Sequence, residues 1–99
     1  MLRDIDLIAI DIHGWANRVF PDRTPQSMFL KLYHELSEMI DETGKPGVEG
    51  EIADVLIMVL DFAVCQGVNV GEALQKKMDI NAARTWKQNP LGDYSHVAE

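Results

Sequence analysis

Between Ile52 and Val64 almost every residue is apolar. Ile52, Val55, Leu56, Ile57, Met58, Val59, Leu60, Phe62, Ala63 and Val64 cover nearly the whole circumference of a helix. A helix that is apolar all round is normally buried all round. The chain has 99 residues, room for one domain. Three neighbouring helices in a protomer of that size barely enclose such a segment. The run therefore predicts an all-α domain, a small four-helix bundle that completes its core by self-association as a homodimer or higher oligomer. A domain this small buries only about 60–65% of the surface its unfolded chain exposes, which points the same way.

Three further helices follow from periodicity and punctuation. Ile5, Ile8, Ala9, Ile12, Trp15, Ala16 and Val19 keep the three-and-four spacing of an amphipathic helix from about Leu2 to Val19. "FPDRTP" then breaks the chain, and Thr24–Pro25 makes a good N-cap and first-turn pair. The second helix runs from Pro25 to about Glu42, with Met28, Phe29, Leu32, Leu36, Met39 and Ile40 on one stripe. "TGKPGVEG" is a Gly/Pro loop. The apolar helix spans about Val48 to Gln66 and stops at Gly67. Asn69, with Glu72 three residues on, starts a fourth helix expected to reach Lys87. The remaining residues, to 99, lack periodicity and are expected to be a mobile tail of the same single domain.

The formal charge is −7, from 16 acids against 9 bases. A nucleic-acid-binding surface needs a basic footprint, so nucleic acid is not an expected partner. The single cysteine, Cys65, excludes an intrachain disulfide, fits a cytoplasmic setting and is expected to be a small buried packing residue. Acids interrupt the apolar N-terminal segment, unlike a secretory leader. No apolar run approaches the roughly 20 residues needed to span a bilayer.

The apolar helix carries two acids at its head, Glu51 and Asp54, three residues apart. "ELSE" repeats that spacing with Glu35 and Glu38 on the preceding helix. Residues three apart share a helix face, and the short loop makes the two helices antiparallel neighbours. Four carboxylates could converge on one groove, where they would resist ionising together unless a hard cation such as Mg²⁺ or Mn²⁺ sat among them. Spacing alone allows a second reading, in which both pairs are solvated helix faces and Glu51 and Asp54 answer the helix dipole.

On the fourth helix Lys77, Asn81 and Arg84 follow at i, i+4 and i+7. Lys and Arg offer charge to phosphate, Arg as a bidentate fork, and Asn can bond a phosphate oxygen or a base edge. Opposite a carboxylate–metal cluster, such a stripe suggests a nucleoside triphosphate site. As a solvated helix end, the same residues would complement the C-terminal dipole.

"KLYHELSEMIDE", "GEIADVLIMVLDFA" and "GVNVGEALQKKMDINAARTW", together about residues 28–87, resemble the MazG-like nucleoside triphosphate pyrophosphohydrolases. The ordered set of ExxE, ExxD with its apolar run, and the Lys/Asn/Arg stripe carries the resemblance. It implies an all-α fold, dimers or tetramers, and Mg²⁺-dependent cleavage of (d)NTP between the α and β phosphates to a monophosphate and pyrophosphate. A house-cleaning role in the nucleotide pool is implied as well. Glu35, Glu38, Glu51 and Asp54 would be metal ligands. Lys77, Asn81 and Arg84 would bind phosphate or neighbouring groups, and Lys31, one turn before Glu35, matches a lysine often found there. Glu38 is a candidate general base as well as a ligand. The chain departs from the pattern at His34, where the family often has another acid.

Trp15 and Trp86 are candidates to stack on a nucleobase, although Trp15 also fits the apolar face of its helix. Asp61, seven residues after Asp54, either extends the acidic groove or bonds a buried partner. A di-iron bundle would want Glu-x-x-His on two helices, and no such pair occurs. A non-catalytic nucleotide-binding or protein-interaction module is the alternative function. It would explain the apolar helix but not the coincidence of acids and basic stripe.

Overall fold

The computed structural model describes residues 3–98. Leu2, where the first helix was expected to begin, lies outside the described residues. Four helices follow in order: α1 Asp4–Val19, α2 Pro25–Asp41, α3 Val48–Cys65 and α4 Val70–Ala83. Their starts are the ones the capping residues dictate. Thr24 Oγ1 accepts from the Ser27 amide at 3.2 Å, with Pro25 as the first helical residue. Asn69 Oδ1 accepts from the Glu72 amide at 2.9 Å. The Glu72 carboxylate pairs with Lys76 at 3.1 Å. Gly67 ends α3 with φ of 71°, a conformation that costs other residues steric strain.

The apolar helix is the middle of the packed layer, with α2 on one flank and α1 on the other. Phe29 meets Phe62 with ring centroids 5.0 Å apart, while Glu35 reaches Glu51 and Asp54. Partner numbers rise on α2 as they fall on α3, so the two helices are antiparallel. α1 is antiparallel to α3 as well. Its N-terminal half borders Val64 and Gly67, and His13 bonds Asp61. α4 packs against α1. There the buried carboxylate of Asp6 accepts from the Gly71 amide at 3.0 Å and from the Arg3 amide at 3.1 Å. These bonds hold the Asp6 carboxyl below the usual carboxylate range, the Gly71 bond most of all.

One protomer encloses little apolar surface. Among the described residues only Ala9, Ala16, Met28 and Leu60 are buried apolar side chains. The outer face of α3 is open, with Leu56 53% exposed and Ile52 and Val59 beside it. The radius of gyration is 16.0 Å, against about 13 Å for a compact domain of this length.

Three expectations are corrected. Cys65, expected to be buried, is exposed, because it is the last residue of α3, where the helix end leaves the packed layer. α4 ends at Ala83, four residues short of Lys87, and Arg84 is extended with ψ of 154°. The segment expected to be an irregular tail instead contains an antiparallel hairpin, β1 Trp86–Gln88 and β2 Tyr94–His96. β-Branched and aromatic residues at Thr85 and Trp86 favour strand over helix. "NPLGD" supplies the turn: the Asn89 amide donates to Asp93 O at 2.7 Å, and Gly92 takes φ of 95°.

Candidate active site

The antiparallel contact of α2 and α3 gathers the acids. Ligand atoms of Glu35, Glu51 and Asp54 lie within 4.8 Å of one another. Glu38 stands outside that triplet, near enough to Glu51 to raise its pKa. Glu35 is buried, Glu51 half-buried and Asp54 exposed, so the group runs from the core edge to solvent. Burial first, then the neighbouring Glu38, Asp54 and Glu35 carboxylates, push the Glu51 carboxyl above its usual range.

Two oxygens are conspicuous. Glu35 Oε2 and Glu51 Oε2 are buried with no hydrogen-bond partner. A buried carboxylate oxygen without a donor is costly, and a hard divalent cation satisfies several at once. The residues present therefore fit a divalent metal. The other oxygen of Glu35, Oε1, accepts from Lys31 Nζ at 2.9 Å. That bond holds the Lys31 ammonium above its ordinary pKa.

A cleft of about 210 Å³ opens beside the acids, walled by Trp15, Phe20, Lys31, Glu35, Asp54, Ile57 and Met58. Trp15 and Phe20 meet edge to face at 5.4 Å. An adjoining cavity of about 410 Å³ shares Phe20, Lys31 and Met58 and extends over Pro21, Met28 and Asp61. Trp15 is thus near the carboxylates and Trp86 is not. Trp86 belongs to the hairpin, where its indole Nε1 donates to Asn81 O at 3.0 Å and its ring meets His96 edge to face.

The basic stripe is not brought to the acids within this protomer. α4 departs from the bundle after docking on α1, and none of Lys77, Asn81 and Arg84 lines the acidic cleft. The early end of α4 also takes Arg84 off the helical stripe, although its Nη1 still reaches Asn81 Oδ1 at 3.4 Å. His34 is exposed on α2.

Asp61 bonds a buried partner. It is 2% exposed and accepts from Arg23 Nε at 2.9 Å and Nη2 at 3.0 Å. His13 Nδ1 lies 2.9 Å from the same carboxylate. Arg23 further donates to Phe20 O and Asn17 Oδ1, which pins the α1–α2 loop against α3. The Asp61 bonds keep the guanidinium charged, raising its pKa. Sequence reasoning read "FPDRTP" only as a break and missed Phe20 and Arg23. The available signal was a single arginine within that loop and an acid, Asp61, on an otherwise apolar helix.

Fold and site together define a class: small all-α domains that gather helix-borne carboxylates beside a cleft of mixed aromatic, apolar and charged lining. The chain is 39% identical over 89 residues to a dATP/dGTP diphosphohydrolase of Cyanophage S-2L, a match spanning 88% of this chain and 82% of that protein. It is 42% identical over 88 residues to a protein of the same name from Salmonella phage PMBT28, of which it spans 30%. The fold superposes with a TM-score of 0.85 and 34% identity on the Cyanophage S-2L MazG-like pyrophosphohydrolase bound to dGDP and three catalytic Mn²⁺ ions per active site, covering 98% of this chain and 96% of that one. No family model matches the chain. The chain belongs to the MazG-like pyrophosphohydrolases.

Proposed function

We propose that the chain hydrolyses nucleoside triphosphates at the α phosphorus, releasing a nucleoside monophosphate and pyrophosphate, with Mg²⁺ or Mn²⁺ as cofactor. The observation that carries this reading is the pair of buried, unpartnered carboxylate oxygens on Glu35 and Glu51, within reach of Asp54, with Glu35 and Asp54 lining the adjoining cleft. Glu35, Glu38, Glu51 and Asp54 would hold the metal. When bound, the metal supplies Lewis-acid neutralisation of the triphosphate and a more acidic water. Glu38, exposed and beside Glu51, would accept a proton from the attacking water. Trp15 offers an apolar surface to the base at the mouth of the cleft. The names of the two phage relatives make dATP and dGTP the first substrates to try. Clearing surplus nucleotides from the pool is the biological role that suits this reaction.

The working unit is a homodimer or homotetramer. Open apolar faces on α1 (Leu7, Ile8, Ile10), α3 (Ile52, Leu56, Val59) and α4 (Leu74, Met78, Ile80) favour it. Docking of a second copy on these faces would deliver Lys77, Asn81 and Arg84 to the phosphates, where they stabilise charge on the departing pyrophosphate.

The test is product analysis with a panel of NTPs and dNTPs and Mg²⁺ or Mn²⁺, beside Glu38→Gln and with EDTA. Metal-dependent pyrophosphate and monophosphate, lost in the variant, are expected. A diphosphate plus orthophosphate would refute the bond assignment. Nucleotide binding without turnover would turn the reading to a binding-only module.

A further inference from the structure

Lys31 stands between two environments. Its ammonium donates to Glu35 Oε1 at 2.9 Å, yet the side chain is 50% exposed. The same side chain lines both the acidic cleft and the larger cavity beside it. Among the described ion pairs it is the one that brings a cation to the four acids. Glu35 is divided as a result, one oxygen taken by Lys31 and the other buried without a partner.

We propose that Lys31 is a resident counter-ion of the metal-free site, exchanged for the metal and handed to a phosphate of the substrate. The inference rests on the metal-site reading above. An ammonium and a divalent cation repel one another across a shared carboxylate, so metal at Glu35 favours departure of the lysine. The lysine can leave because its own side chain is half exposed and regains water, although the Glu35 side chain is only 9% exposed. A lysine is a compact charge on a flexible stem, suited to moving between two anions. Arg23 is the contrast. It is bidentate to Asp61, with side chains 11% and 3% exposed, and its donors are engaged in the loop clamp. That cation is fixed, whereas Lys31 is free to swing from one cavity wall to the other.

The rival arrangement keeps Lys31 on Glu35, where it would aim Oε2 at the metal. The two differ in sign when the charge is removed and the stem kept. Lys31→Met in the full chain is titrated with Mn²⁺ alone, and free Mn²⁺ is read by electron paramagnetic resonance. Exchange predicts that the variant binds bare Mn²⁺ at least roughly two- to five-fold more tightly, the gain from no longer breaking one i,i+4 ion pair, a lower bound because Glu35 is buried. With a dGTP analogue carrying methylene between the α and β phosphorus, the same variant is expected to lose about ten-fold or more in nucleotide affinity, a charged hydrogen bond to phosphate. Unchanged or weaker Mn²⁺ binding by the variant overturns the exchange, and unchanged nucleotide affinity overturns the hand-over. Failure of the unsubstituted chain to take up Mn²⁺ overturns the metal-site reading and this inference with it. Should Lys31→Met not fold, Lys31→Gln carries the same comparison. A second measurement needs no variant: Mn²⁺ is expected to raise acylation of Lys31 relative to Lys76, whose surface pair with Glu72 is the reference. Equal labelling with and without Mn²⁺ overturns the exchange.

Discussion

Replacing Asp61 with alanine strands a nearly buried guanidinium. Asp61 accepts two bonds from Arg23, at 2.9 and 3.0 Å, and lies 2.9 Å from His13 Nδ1. The Asp61 side chain is 3% exposed and that of Arg23 is 11% exposed. Breaking a buried ion pair by deleting one partner costs about 3–5 kcal/mol, because the other charge is left uncompensated. Arg23 keeps its bonds to Phe20 O and Asn17 Oδ1, so the low end, about 3 kcal/mol, is expected. For a chain of this size that lowers the melting temperature by about 12 °C or more. Urea unfolding of Asp61→Ala, Arg23→Met and the double variant measures it. The double variant should be more stable than Asp61→Ala alone, because it no longer buries an unpaired charge. A cost below about 1 kcal/mol for Asp61→Ala, the range of an exposed pair, would refute the clamp.

The remaining predictions concern the acids, the helix junction and two glycines. The Glu51 carboxyl is raised above its ordinary 4.5, so the folded chain binds this proton more tightly than the unfolded chain. Stability of the metal-free protein should therefore fall as pH rises through the raised pKa, and stabilisation by Mn²⁺ should grow over the same range. Melting curves with EDTA and with Mn²⁺, beside Glu51→Gln, check both trends. The Asp6 carboxyl is shifted the other way, below 3.8. Its contribution is present at neutral pH and lost as pH falls through the lowered value, and Asp6→Ala should remove that acid-labile part from calorimetric scans. At Gly50 an added Cβ meets nothing within 4 Å, so Gly50→Ala should stabilise the helix by about 0.5–1 kcal/mol. At Gly71 it would meet Arg3 Cδ at 2.7 Å and Asp6 Oδ2 at 2.8 Å. Gly71→Ala should therefore loosen α4 from α1, read as faster amide exchange at residues 71 to 74.

What was legible in the sequence was what local chemistry decides. Thr24, Asn69 and Gly67 set helix boundaries through their own backbone bonds, and the structure places the boundaries there. The three-residue spacing of the acids, with a short loop between helices, was enough to put Glu35, Glu51 and Asp54 together. The end of α4 was less legible, because no Gly or Pro stands at Arg84. The helix stops where strand-favouring residues and a turn further along the chain form a hairpin. Asp61 was ambiguous for a similar reason. Its partner Arg23 lies 38 positions away in a loop, and periodicity carries no information about loop side chains. The Lys/Asn/Arg stripe was read correctly as a face of one helix through Lys77 and Asn81. Its distance from the acids depends on how α4 leaves the bundle, which one helix cannot encode.

The apolar helix that dominates the sequence carries structural and chemical demands at different depths. Its flanks pack on α1 and α2, and its outer face is open. Its first turns hold two carboxylates that a core would not tolerate unless something satisfied them. Placing Glu51 and Asp54 there puts them next to the helix dipole, which favours negative charge. It also sets them against Glu35 and Glu38, which opposes that charge. On the function proposed above, the same juxtaposition that disfavours the metal-free carboxylates would favour a cation among them, since binding would relieve that repulsion. Farther along the helix Asp61 faces the opposite situation. Its charge is met by Arg23 within the protomer, so it has no need of an external cation. The acids of α3 thus separate by partner: Glu51 keeps a buried oxygen without a hydrogen-bond partner among the described residues, whereas Asp61 is closed by an arginine that anchors the wall of the cleft.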